Sequence, residues 1–258
     1  MAISLGIDVG GTGIKGGLVD TVKGKLISEK IKYATPQPSS PKSVMKVINQ
    51  LIDDFGCRDQ NFGCGFPSII KNNVCHSAAN IDDGWLGMDL HDFFLEHTGS
   101  KVTFVNDADA AAVAEMTHGL GKGVKGTVIL ITLGTGIGSG IFYDGKLFPN
   151  SEFGHLLYKK SVFEHYASNG ARKKNNLDWK EWGSELNVFL NHVDFIINPD
   201  LIILGGGVSK YFEEKYKKYI EINTRVVRAS MGNNAGIIGA AMLSTQVCLL
   251  YTSPSPRD

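Results

Sequence analysis

Cysteine is scarce in this chain and poorly placed for chemistry. The four residues, Cys57, Cys64, Cys75 and Cys248, include no short paired spacing of the metal-binding or redox kind. A reduced, cytoplasmic setting is the simpler expectation. Net charge is absent as well, because 26 Lys and Arg balance 26 Asp and Glu. That argues against a nucleic-acid partner, whose binding domain is usually basic, but leaves room for a local groove for a small anion. No apolar run is long enough to span a bilayer, and the longest, 127–142, is broken by glycines. Met1-Ala2-Ile3-Ser4-Leu5 has no basic segment leading into an apolar core, so neither a membrane nor a secretory address is expected. The Gly-Lys-Ser/Thr ending of a P-loop is also missing.

What remains is a chain of 258 residues, 43% hydrophobic and 20% charged, the balance of a globular protein with ample core. Its 31 glycines cluster at strand turns. Leu5–Asp8 and Gly16–Val19 read as short strands around a glycine turn. Val44, Val47, Ile48, Leu51, Ile52 and Phe55 follow helical spacing and predict an amphipathic helix over 42–55, with Pro41 at its start. Val102–Val105 reads as a buried strand that runs into Asn106-Asp107 and an Ala-rich helix over 108–116. Val128–Thr132 and Ser139–Phe142 form a second pair of strands. Trp182, Leu186, Phe189, Leu190, Val193 and Ile197 predict a long helix. Leu201–Leu204 is a strand before Gly205-Gly206-Gly207, and Ser209 is placed to cap a following helix. Alternating strands and helices put the chain in the α/β class.

Gly11-Thr12-Gly13-Ile14 and Gly134-Thr135-Gly136-Ile137 are identical, and Gly17 and Gly140 fall at the same offset. Two such hairpins, one per half, suggest duplicated lobes facing a cleft; glycine-rich coincidence is the alternative. The expected division is a small α/β lobe over 1–108 and a large one over 109–245, with the C-terminal helix free to return to the small lobe. Residues 246–258 bear Pro and Ser without periodicity and read as a disordered tail or a sequencing scar.

Asp8-Val9-Gly10-Gly11-Thr12-Gly13-Ile14-Lys15 has the makings of an anion site. Glycines allow close backbone approach, and successive N–H groups form a concavity for phosphate. There Asp8 would hold Mg²⁺ through water and Lys15 would offset phosphate charge; a plain hairpin turn is the bland alternative. Gly134, Thr135 and Gly136 repeat the arrangement, and Gly205, Gly206 and Gly207 lie between strand and helix as a phosphate-contacting turn would. Asp107, at a helix N-terminus, suits a general base or a simple cap. Glu152-Phe153-Gly154-His155 offers acceptors and a donor of the kind that sugar hydroxyls need, unless the loop is merely solvated. Asn80, Asp82, Asp83, Trp85 and Asp89 mix polar groups with one aromatic, as a sugar cleft would. Arg172, Lys173 and Lys174, with Lys122, Lys125 and Lys210, make a basic set that is either a polyanion track or ordinary surface.

In this order the motifs closely resemble the ROK family of sugar kinases and repressors, over about residues 3–245. The resemblance rests on Asp8-x-Gly-Gly-Thr-x-x-Lys15, on Asn106-Asp107-Ala108, on Glu152-x-x-His155 and on the Gly205-Gly206-Gly207 turn. It implies a sugar-kinase/actin-like (ribonuclease H-like) fold of two lobes around a central cleft. It implies that Asp107 is the catalytic base and that Asn80, Asn106, Glu152, His155 and Glu164 hold the sugar. Gly10, Gly11, Thr12, Lys15 and the two later glycine turns would hold phosphate. The family's usual zinc site needs three cysteines soon after the histidine; none stands between Cys75 and Cys248, so no zinc is expected. Gly65-Phe66-Pro67-Ser68, Glu152-Phe153-Gly154-His155 and Pro199–Ile203 with Gly205–Lys210 resemble the bacterial polyphosphate glucokinases in particular. That resemblance implies glucose as acceptor, polyphosphate or ATP as donor, Mg²⁺ as cofactor and a homodimer. A family repressor would need a helix-turn-helix before the first glycine turn, for which Asp8, the eighth residue, leaves no room.

Overall fold

The computed structural model describes residues 2–79 and 81–245; Asn80 and the tail expected over 246–258 lie outside the described residues. The chain divides into two compact units, Met1–Val105 with the chain from Ile237 onward, and Asn106–Gly236.

The first unit is built on a hairpin of β1 (Ile3–Gly10) and β2 (Gly13–Asp20). Val9 pairs with Ile14 and Gly10 with Gly13, which leaves Gly11-Thr12 as a tight turn. Two short strands, β3 (Lys25–Leu26) and β4 (Ile31–Ala34), pair with β2. Helix α1 (Pro41–Asp54) follows; Ser40 caps it by accepting from the Ser43 N–H, and Pro41 takes the first position, where no N–H is needed. Strand β5 (Phe62–Phe66) then runs parallel to β1, beyond which β6 (Ile70–Lys71) and β7 (Val74–Cys75) make a small hairpin. Helix α2 (Leu90–Thr98) is capped by Asp89 and ended by Gly99 in the left-handed region. Strand β8 (Val102–Asn106) completes the sheet, ordered β3-β2-β1-β5-β8 with β4 also on β2. One face of this sheet buries Ile7, Val9 and Ile14 with Val44, Ile48, Leu51 and Ile52 of α1. Each such side chain contributes about 1.5–3 kcal/mol when fully buried.

The second unit opens on α3 (Asp107–His118) and a sheet of β9 (Thr127–Leu133), β10 (Ile137–Tyr143) and β11 (Lys146–Phe148). Leu133 pairs with Ile137, so this hairpin closes on Gly134-Thr135-Gly136. After the small pair β12 (Leu157–Tyr158) and β13 (Ser161–Val162) come the short helices α4 (Glu164–Ala167) and α5 (Asn169–Lys174). Helix α6 (Trp179–Ile197) starts on a capping box of Asp178 and Glu181. Its Trp182, Leu186, Phe189, Leu190 and Val193 pack on Ile129, Ile131, Ile202 and Leu204. Strands β14 (Leu201–Gly205) and β15 (Val226–Arg228) finish a sheet ordered β11-β10-β9-β14-β15. Each unit thus has an antiparallel hairpin whose first strand also pairs in parallel with a later one.

Ser209 does not cap a regular helix. Gly206 precedes a 3₁₀ segment over Gly207–Tyr211 that passes into a π turn, and the Ser209 hydroxyl donates back to the Gly206 carbonyl. The last helix, α7 (Ala235–Thr245), is apolar on every side and buried on nearly all of them. From Ile237 it belongs to the first unit, where it lies against Gly6 and Gly63. A Cβ on Gly63 would stand 1.8 Å from the Ala240 carbonyl oxygen, and one on Gly6 would stand 2.0 Å from that of Ile237. Among the described residues no helix is long and apolar enough to cross a membrane.

Candidate active site

In the first unit the ladder places Asp8 opposite Lys15, just before the glycine turn. Lys15 Nζ donates to Asp8 Oδ2 at 2.7 Å, and Asp8 is 9% exposed. Thr35 donates to the Gly10 carbonyl and so holds the end of β1 in place. The backbone of Gly10, Gly11 and Thr12 therefore sits on a braced hairpin beside a carboxylate–ammonium pair. Trp85 is fully buried and its indole N–H donates to the Ser39 carbonyl, while Asp82 and Asp89 cap the turns that follow them. These side chains are structural and offer a sugar no aromatic face. Asn80 lies outside the described residues.

In the second unit Asn106 ends β8 and caps α3: its side-chain oxygen accepts from the N–H groups of Ala108 and Asp109 at 2.9 and 3.2 Å. That bond fixes Asp107 in the first helical turn, half-buried, with Oδ1 accepting from the Ala108 N–H. Ala108 and Ala112 let α3 lie close to β10, where added Cβ atoms on Gly138 and Gly140 would come within 2.8 and 2.6 Å of them.

Glu152, His155 and Glu164 come together. His155 Nδ1 lies 3.8 Å from Glu152 Oε2, and its Nε2 lies 3.6 Å from Glu164 Oε1. The imidazole thus stands between two carboxylates that are more buried than itself. Burial pushes the Glu152 carboxyl above its ordinary range; His155 opposes that shift and Glu164 adds to it. Glu164 Oε2 also accepts from the Ile137 N–H, which ties the cluster to the second hairpin. That hairpin is itself wedged: Gly170 donates to the Gly134 carbonyl, and Gly206, at φ 80°, abuts the backbone of Leu133. Gly134, Thr135, Gly136, Gly206 and Gly207 consequently share one corner of the unit, with Gly205 ending the strand beneath.

The chain matches the model of the ROK family over residues 4–171. The chain belongs to the ROK family. It is 43% identical over 240 residues to the polyphosphate glucokinase of Mycobacterium tuberculosis, covering 93% of this chain and 90% of that protein. Among solved structures it is similar to the inorganic polyphosphate/ATP-glucomannokinase of Arthrobacter sp. strain KM, with a TM-score of 0.92 and 44% identity over 95% of this chain and 99% of that one. It is similar also to a ROK family glucokinase from Streptomyces griseus in complex with glucose and AMPPNP, at 26% identity and a TM-score of 0.80, covering 95% and 99% of the two chains. The α/β fold is that of the ROK sugar kinases.

Sequence reasoning missed Asp109 in this ROK chain, because an acid two positions after Asp107 in a helix reads as surface. The side chain is 1% exposed. Oδ2 accepts from the Asn150 N–H at 2.7 Å, and Oδ1 has no hydrogen-bond partner. Asp109 thereby links α3, which carries Asp107, to the loop that carries Glu152. Burial pushes its carboxyl up to about 7, against the Asn150 bond and with help from Asp107 and Glu152. In the unfolded chain an Asp ionises near about 3.9. Between these values the folded state holds a proton that the unfolded state has lost, so stability from this group falls as pH rises through that window. Asp109→Asn keeps the acceptor for Asn150 and cannot ionise. Its melting temperature relative to wild type is expected to rise from pH 5 to about pH 7 and to level off above that. Parallel pH profiles for the two proteins would contradict this.

The basic set is open apart from Arg172: Lys122, Lys125, Lys173, Lys174 and Lys210 are exposed. The Arg172 guanidinium lies 4.3 Å from the Trp179 ring centroid, and its Nε donates to Asn169. Lys210, also exposed, has its Nζ 4.8 Å from the Tyr211 ring centroid.

Proposed function

We propose that this chain transfers a phosphoryl group from inorganic polyphosphate, and less efficiently from ATP, to the 6-hydroxyl of glucose. The observation that carries the reading is its 43% identity, across nearly the whole length of both chains, to a polyphosphate glucokinase. The residues present fit the chemistry. Glu152 and Glu164 accept from sugar hydroxyls and His155 meets a third, since each hydroxyl both donates and accepts. Asn106 commits its oxygen to capping α3, so it reaches the sugar through its amide nitrogen. Asp107 accepts the 6-hydroxyl proton as that oxygen attacks phosphorus in line with the leaving phosphate. The N–H groups of a glycine turn can donate to the equatorial oxygens of a transferring phosphoryl group.

Asp8 is the residue to hold Mg²⁺. It is a single hard oxygen donor on a glycine-lined turn, with Lys15 fixing one oxygen, which suits an ion that keeps waters and phosphates as its other ligands. When bound, Mg²⁺ neutralises charge on the donor phosphates. The reading includes no zinc, and it places the enzyme in the cytoplasm as a homodimer. The test is phosphorus NMR of purified protein with glucose, Mg²⁺ and long-chain polyphosphate. A phosphomonoester on O6 is the expected product. No sugar phosphate with either polyphosphate or ATP would end the proposal.

A further inference from the structure

The first unit carries a cationic row of which the catalytic reading uses only Lys15. Strand β4 lies along β2 with Lys15 directly opposite Lys32 and Gly13 opposite Ala34. The Lys32 side chain lies over Gly13: a Cβ there would be 2.4 Å from Lys32 Cε and 3.3 Å from its Nζ. Lys32 is therefore held against the base of the Gly11-Thr12 turn, next to the Lys15–Asp8 pair. Lys30 stands two residues before Lys32. Desolvation lowers its pKa first, and the charges of Lys15 and Lys32 lower it further, while Asp8 acts the other way. Ile31 and Tyr33, the alternate residues of β4, turn toward the apolar core. Lys30 and Lys32 are exposed.

Like charges set directly opposite on a ladder destabilise a sheet. The Asp8 carboxylate bonded to Lys15 offsets part of that cost, but three ammonium groups around one carboxylate leave the row net positive. A bound anion removes that penalty. The spacing says which kind. Partners across a ladder are about 5 Å apart at Cβ, and residues two apart on one strand are about 7 Å apart. One compact phosphate spans only part of such a row, whereas a linear polyanion can meet each ammonium in turn. We propose that Lys15, Lys30 and Lys32 form a binding row for the polyphosphate chain, holding the stretch that follows the phosphoryl being transferred. This rests on polyphosphate being the donor.

The test compares wild type with Lys30→Ala/Lys32→Ala, and with Lys42→Ala/Lys46→Ala as a charge-matched control. The control lysines are exposed on α1, which packs on the opposite face of the sheet. In the first variant KM for long-chain polyphosphate is expected to rise about tenfold, the order expected for losing two solvent-exposed charge contacts. KM for ATP and for glucose should change less than about twofold. The defect should shrink with tripolyphosphate, which meets fewer of the three ammonium groups than a long chain does, and the salt dependence of polyphosphate use should flatten. An equal loss with ATP, an equal loss in the control, or no change at all would overturn the row. Absence of polyphosphate turnover in wild type is a separate result, which overturns the donor assignment itself.

Discussion

Replacing Asp107 with Asn is expected to lower kcat by about 10²–10⁴, the usual contribution of a positioned general base. The geometry makes the substitution unusually clean. Asp107 sits in the first turn of α3, and the cap that fixes this turn comes from the Asn106 side chain, not from Asp107 itself. An Asn at 107 retains an oxygen that can accept from the Ala108 N–H, as Asp107 does at 2.8 Å. The fold and the sugar contacts of Glu152, His155 and Glu164 should therefore survive, and only the proton acceptor is lost. KM for glucose should stay within about threefold, because an interaction made only in the transition state affects kcat and not binding. Steady-state kinetics over a range of glucose concentrations separate the two. Turnover within a few-fold of wild type would remove Asp107 from the mechanism.

Gly63→Ala is expected to be the most damaging single methyl group in the first unit. The new Cβ would stand 1.8 Å from the Ala240 carbonyl oxygen and 2.4 Å from its carbon. Both are backbone atoms of a buried helix, so no side chain can rotate away, and α7 must shift off the sheet. Overpacking of this kind costs about 3 kcal/mol. In a domain of this size that is a fall of roughly 6–12 °C in melting temperature. The same methyl group disturbs the strand that pairs with β1 at Asp8, so activity should fall with stability. A melting temperature within about 2 °C of wild type would show that α7 does not press on this strand.

The sequence and the structure agree where the signal is local. The glycine pairs mark both hairpins, and the apolar spacing of Val44–Phe55 and Trp182–Ile197 marks α1 and α6 to within a few residues at each end. Helix α7 has no apolar stripe to find, because both of its sides are buried; an all-round apolar segment has no helical period. Strand β4 is short and half-buried, and only its pairing with β2 sets Lys32 opposite Lys15. Asp109 is likewise invisible locally, since its burial depends on Gly140 and its partner is the N–H of Asn150, far along the chain. Trp85 misleads in the other direction. Acidic neighbours suggest a sugar cleft, but the indole fills the core and those acids cap turns. Glu152 and His155 share one short motif that the sequence marks as polar, but only the resemblance to ROK kinases groups Glu164 with them in advance.

The most direct measurement is a side-by-side determination of kcat/KM for long-chain polyphosphate and for ATP, with saturating glucose and Mg²⁺, on the same preparation. Polyphosphate is expected to give the higher value, and added salt should depress its use more than that of ATP, because more charge contacts are screened. Efficient turnover with ATP and none with polyphosphate would contradict the account, leaving a sugar kinase with a different donor.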